Sequence, residues 1–315
     1  MITRSALSAD NRPPRSVLSG VRVVGGRQRA PQGIRELDDR WYGYGAGLIV
    51  ELDGSTAHPL FQYHSAPGTH GPDDPILLKS ATVAGNRLYA CTQTEVLVLT
   101  WPQLEPVAHV SLPIFNDVHH VIPGPVAPAG PAIDDDTDTV VVAVSGFDAV
   151  AEVTLDGELV DLISVTDERA RPDIDPNKDY RIDCDLKPHA IHPNYLFRID
   201  DEVWVTRFET RDAVAVNDPS RRIAIGRERC HDGVVNDGRV FFTTVDGHVV
   251  EVDGSTLQVR AEHRLTGRNE DTLLGWCRGL TFLDDTHVAV GFSRIRHTRF
   301  RNTLSWVRHG LTRSE

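Results

Sequence analysis

Lysine is nearly missing: it occurs only at Lys79, Lys178 and Lys187, and arginine supplies the rest of the 33 basic residues. The skew fits a GC-rich genome and by itself says nothing about function. Cysteine is also sparse. Cys91, Cys184, Cys230 and Cys277 stand far apart without a C-x-x-C pair, which excludes a zinc ribbon and predicts reduced thiols. No apolar run approaches the roughly 20 residues that cross a bilayer. The stretch Met1–Asp10 lacks the apolar core of a signal peptide, so a cytoplasmic location is expected. Also missing are a G-x-S-x-G elbow, a P-loop, a dinucleotide fingerprint and an H-E-x-x-H helix. Asp134–Asp138 has the composition of a calcium loop but neither the glycine nor the terminal glutamate of an EF-hand.

Basic charge is outnumbered, with 45 acidic residues and a net charge of −12. Such a field repels nucleic acid and anionic lipid, so neither is expected as a partner. The local exception is a basic run, Arg294, Arg296, His297, Arg299, Arg301 and Arg308. A hydrophobic content of 40% excludes a disordered chain and leaves a soluble globular one.

What is present is repetition. Val250-Glu251-Val252-Asp253-Gly254-Ser255-Thr256 nearly copies Val50-Glu51-Leu52-Asp53-Gly54-Ser55-Thr56. Around the later copy, short runs of β-branched and aromatic residues alternate with Asn236-Asp237-Gly238, Asp246-Gly247 and Asp253-Gly254. Strands with such turns make a four-stranded meander. Similar units start near residues 79, 119, 188, 230 and 277, with one enlarged interval between 119 and 188. Copies of one supersecondary unit predict a single all-β domain over 1–315, a β-propeller. Six blades are expected, with five as the alternative, and the ring closed by strands from both termini. Pro123–Asp138 and Asp167–Lys187 read as long loops at the channel mouth, joined there by Trp41–Tyr44.

Aligned first strands bring Lys79-Ser80, His119-His120, Pro188-His189, either Cys230-His231 or His231-Asp232, and Cys277-Arg278 to matching positions. The first strand of each blade lines the axis, so these side chains converge. Histidine in three consecutive blades predicts a metal site of His120, His189 and His231, for a divalent ion among Zn, Fe, Mn, Ni and Cu. Only one of His119 and His120 faces the channel of a regular strand. His120 is favoured because Val121-Ile122 after it matches Ala190-Ile191 after His189. A polar channel also accommodates histidines that only hydrogen-bond one another. Asp232 is a candidate base, ligand or orienting partner, or else a turn residue. Arg278 and Lys79 are cations suited to a carboxylate or phosphate on a substrate. His192 reads as a further channel residue or a turn residue, and Cys230 and Cys277 as small core residues, soft ligands or nucleophiles.

At Cys277-Arg278-Gly279-Leu280-Thr281-Phe282 and Val288–Arg294 the chain resembles a group of uncharacterised bacterial β-propeller proteins. Their last blade carries an R-G-L-x-F…V-G-x-S-x-x-R pattern, and a His-Asp pair like His231-Asp232 opens an earlier blade. More distantly it is similar to regucalcin and gluconolactonase propellers, which hold one divalent metal on the ring axis. That family uses mainly carboxylate and amide ligands where this chain offers histidine, so the resemblance implies the fold rather than the activity. The expectation is a metal-dependent hydrolase, lyase, isomerase or oxygenase acting on a small polar, possibly anionic, metabolite. A non-catalytic ligand- or protein-binding propeller is the alternative.

Overall fold

Valine-rich runs closed by Asp-Gly and Asn-Gly favour antiparallel strands joined by tight turns. The computed structural model describes residues 2–3, 26–27, 45–50, 57–71, 78–126, 138–182, 186–265, 276–284 and 287–293. Strands β1 (Ile2–Thr3), β2 (Gly26–Arg27), β3 (Gly45–Val50) and β4 (Ala57–Tyr63) form one sheet in the order β1-β4-β3-β2. Four-stranded meanders follow: β5 (Ser80–Ala84), β6 (Arg87–Cys91), β7 (Val96–Thr100) and β8 (Pro106–Val110) make the first. The second is β9 (Val118–Pro123), β10 (Thr139–Val144), β11 (Ala149–Thr154) and β12 (Leu159–Ser164). The third is β13 (Pro193–Ile199), β14 (Glu202–Arg207), β15 (Asp212–Ala215) and β16 (Arg222–Ala224). The fourth is β17 (Val234–Asn236), β18 (Arg239–Thr244), β19 (His248–Asp253) and β20 (Val259–Arg264). Strands β21 (Trp276–Phe282) and β22 (Val288–Ser293) form a pair. The one helical piece among the described residues is a 3-10 turn, Ser145–Phe147, and no described helix is long and apolar enough to cross a membrane.

Turn chemistry explains the hairpins. Asp237 and Gly238 both take positive φ, 49° and 68°, the conformation of a tight turn between β17 and β18. The repeated Asp-Gly also has a packing reason. The Gly254 amide donates to the Gly238 carbonyl at 2.9 Å, and a Cβ on Gly254 would lie 2.6 Å from that oxygen. The copy at residues 51–56 lies outside the described residues.

A period of two sends alternate valines of β10 to opposite faces. Val140, Val142 and Val144 pack with Tyr89, Val96 and Val98 of the preceding sheet. Val141 and Ala143 pack with Leu196, Val203 and Val214 of the next. The same pattern joins Trp204 and Ala215 to Phe242 and Val250, and then Phe241 and Val249 to Leu280. Thus the sheets stack face to face in chain order. First strands β5, β9, β13, β17 and β21 touch in succession along one side of the stack. Stacked meanders with adjacent first strands are the blade plan of a β-propeller. Cys91, Cys230 and Cys277 are buried in this packing and in no disulfide, and burial pushes the Cys91 thiol up to about 11.

Two boundaries differ from the sequence expectation. Residues 188–192 are not a first strand: β13 starts at Pro193. Pro188 offers no amide proton and His192 takes φ 56°, so the ladder does not extend back beyond Pro193. His231 and Asp232 likewise precede β17, which starts at Val234. Of the expected mouth loops, Asp167–Lys187 is described at 167–182 and 186–187, and it meets the segment before β9 at Tyr180. Tyr180 donates its amide to Pro113 O at 2.8 Å, and Asn116 Nδ2 donates to Tyr180 O at 2.6 Å. Most of Pro123–Asp138, all of Trp41–Tyr44 and the basic run 294–308 lie outside the described residues.

Candidate metal centre

Where the segments leading into β5, β9 and β13 meet, their side chains gather around Asp117. This aspartate sits in a left-handed conformation, φ 52°, which short polar side chains tolerate better than most. Its Oδ1 accepts from Lys79 Nζ at 3.1 Å, and Lys187 Nζ lies 4.0 Å from Oδ2. The same Oδ2 is 3.2 Å from His189 Nε2. With the carboxylate as acceptor, Nε2 of His189 donates. Its Nδ1 is then a buried nitrogen with no hydrogen-bond partner, on a side chain only 4% exposed. Six buried side-chain atoms among the described residues are in this position, and His189 Nδ1 differs from the others in lying on a ring beside Asp117 and His192.

Asp148 shapes the turn that carries the next histidine. Its carboxylate accepts from the amides of Ala190, Ile191 and His192 at 2.8, 3.1 and 2.7 Å. That clamp holds His192 in its left-handed conformation and places its Nε2 3.2 Å from Nε2 of His119. On the other edge of the His119 ring, Nδ1 is 2.8 Å from the Asp117 carbonyl, which can only accept. The Ser145 hydroxyl gives its proton to Pro193 O at 2.5 Å, so it too accepts from Nδ1 of His119, at 2.9 Å. Nδ1 therefore carries the proton and Nε2 turns a lone pair toward His192. A carbonyl that fixes the tautomer in this way is a usual support for a metal-binding imidazole.

Electrostatics set the same states. Burial holds His119 well below the usual histidine range, with Lys79 adding to the effect. Burial also brings His192 down to about 3. For Asp117 burial opposes the charge, but Lys79, His119, the His189 hydrogen bond and Lys187 outweigh it and hold the carboxyl well below its ordinary value. Near neutral pH the group presents an ionised carboxylate and neutral His119 and His192, the forms that bind metal. Asp117, His189 and His192 each bring one donor atom within 4.8 Å of the others. Ligands on one tetrahedral ion lie about 3.3 Å apart, which small ring rotations here would reach.

Of the residues expected from sequence to hold metal, only His189 is in this group. His120 is buried between three first strands: Thr82 Oγ1 is 3.3 Å from Nε2, the Leu196 amide donates to Nδ1 at 3.2 Å, and the Tyr195 ring stacks at 3.8 Å. Both its nitrogens are engaged by protein, and it lines an apolar hollow of about 220 Å³. His231 lies behind Phe208, whose ring is 5.3 Å from that of His192 and 5.4 Å from that of His231. Asp232 is buried and accepts from Thr243 Oγ1 at 2.5 Å and from the Gly279 amide, which ties β18 to β21. Arg278 is exposed on β21. Lys79, expected as a wall cation, is beside Asp117. Asp117 was not singled out by the sequence, because an acidic residue before a strand is commonplace. The signal available was its place two residues ahead of His119-His120.

No known protein family's description matches the sequence, and no curated protein sequence matches it. Among solved structures, the chain is similar to a streptogramin B lyase at 12% identity, covering 84% of this chain and 73% of that one, TM-score 0.45. It is similar to the Pan2 WD40 domain of Neurospora crassa at 9% identity, covering 79% and 67%, TM-score 0.45. It is also similar to Sqt1 of Saccharomyces cerevisiae at 8% identity and TM-score 0.43, covering 71% of this chain and 56%, just over half, of that one. At these values the likeness says nothing of activity.

Proposed function

We propose that the chain is a six-bladed β-propeller enzyme that holds one divalent metal at Asp117, His189 and His192 and acts on a small polar metabolite. The ring would be closed by strands from both termini, and the protein would work in the cytoplasm. The observation that carries the reading is the meeting of an ionised carboxylate, neutral imidazoles and the orphan His189 Nδ1 where three successive first strands begin. A divalent ion there supplies Lewis acidity or an activated water. A two-histidine, one-carboxylate set suits Zn or Fe among the candidates. His119 would be a fourth ligand or an orienting neighbour, Asp148 fixes the turn of His192, and Phe208 walls one side.

The test is elemental analysis of protein purified without added metal, followed by titration with Zn, Mn and Fe(II). About one ion per chain is expected, and a His189→Ala, His192→Ala double variant should lose it while keeping the wild-type circular dichroism spectrum. Wild-type protein that binds none of the three ions at micromolar concentration overturns the reading. A second reading, a non-catalytic ligand-binding propeller, draws support from the Lys79–Asp117 pair at 3.1 Å, which already neutralises the carboxylate. It predicts the metal-free outcome.

A further inference from the structure

We propose that this site selects an oxyanion, the carboxylate or phosphate of a small molecule, and seats it against Lys79 and Lys187. The proposal deepens the metal reading and rests on it for the ion that the oxyanion would share.

Two of the three lysines in a chain of net charge −12 converge on one aspartate. Arginine serves nearly everywhere else, including the buried pair of Arg207 with Asp212. Lysine presents a compact ammonium with rotatable donors, which can follow an anion as it moves between partners, where the planar arginine fork is fixed. Side-chain exposure falls from 60% at Lys187 to 20% at Lys79, 12% at Asp117 and 4% at His189. The site therefore opens on the Lys187 side, and an incoming ligand meets that ammonium first.

Charge balance identifies the ligand. Asp117 divides its oxygens between Lys79 on Oδ1 and His189 on Oδ2. A carboxylate that turns to a divalent ion neutralises Lys79 less well. A mostly buried ammonium left without full compensation is costly. Lys79 and Lys187 both stand beside Asp117, and a divalent ion adds further positive charge. An oxyanion bridging the ion and Lys79 restores the balance, with Lys187 steering its entry. A neutral sugar or amide supplies no such charge.

Calorimetric titration of inorganic phosphate, oxalate and glycerol into Zn-loaded and metal-free protein tests this. Oxyanions should bind wild-type protein and glycerol should not, and the stronger of phosphate and oxalate names the group. Lys187→Gln, a change at an exposed position, should weaken oxyanion binding about tenfold. It should leave zinc affinity unchanged or raise it about threefold, because a nearby cation is gone. Lys79→Gln, with its fold checked by circular dichroism, should weaken the oxyanion at least as much. Oxyanions that bind no better than glycerol, or that bind both variants as they bind wild type, overturn the proposal. If zinc fails to bind while metal-free protein takes oxyanions in a lysine-dependent way, the metal reading falls and the oxyanion site stands.

Discussion

Asp148 touches no ligand atom of the candidate site, yet the site depends on it. Its carboxylate is the acceptor for three successive amides, and without it the 190–192 turn that sets His192 at φ 56° keeps only the bonds from the Phe208 and Glu209 amides to the His192 and Ile191 carbonyls. Asp148→Ala should lower metal affinity about 10- to 100-fold, the usual effect of losing a supporting partner, with Asp148→Asn partly restoring it through its remaining carbonyl. Metal titration of the two variants checks this. A different carboxylate contributes to acid stability. Glu95 is fully buried between β6 and β7 and accepts from Tyr63 at 2.7 Å, Thr69 at 3.1 Å, His109 at 3.0 Å and Ser65. Burial alone would raise its pKa, but hydrogen bonds from His109, Ser65 and Tyr63 outweigh that and bring it from 4.5 to about 2. A carboxylate depressed on folding stabilises the native state above its unfolded value and loses that contribution as pH falls through the folded one. The contribution is about 3 kcal/mol, present above pH 4.5 and gone near pH 2. Urea denaturation between pH 6 and pH 2 should show this fall in wild type, and Glu95→Gln should flatten it.

Among the elements, the fourth meander was legible almost residue for residue, because glycine-containing turns bracket its strands and its valines alternate. The start of β13 was not. Pro188-His189-Ala190-Ile191 has the composition of a strand entrance, and only the prolines, the left-handed His192 and the Asp148 clamp show that it is a turn. Histidines do gather near the first strands, but they are His119, His189 and His192, and of the three expected ligands only His189 is among them. Strand position does not place His189 or His231, because residues 188–192 and 231–232 lie ahead of β13 and β17. Asp232 teaches a related lesson. Its pairing with His231 looked chemical, whereas its carboxylate joins Thr243 of β18 to the Gly279 amide of β21. Asp232→Ala should therefore leave metal stoichiometry unchanged and cost about 1–3 kcal/mol of stability, the penalty for a buried donor left unmatched. Chemical denaturation alongside metal analysis separates the two effects.

At the scale of the whole molecule, the candidate site belongs to no single sheet. Lys79 comes from the entrance of β5, Asp117 and His119 from that of β9, and His189 and His192 from the turn before β13. Contacts across that seam are invisible to any local pattern, since Asp117 and His189 are 72 residues apart. What sequence revealed was the unit that repeats; what it concealed was which loop of one unit faces which loop of the next. Stacking in chain order has a consequence in time. On a ribosome Lys79 emerges 38 residues ahead of Asp117, while His189 follows 72 residues after it. At roughly 5–20 residues per second, the aspartate waits about 4–14 s for its imidazole. Through that interval the lysine already made is a counter-ion at hand, and so the ammonium that later competes for the carboxylate is also the one that lets the nascent chain bury it.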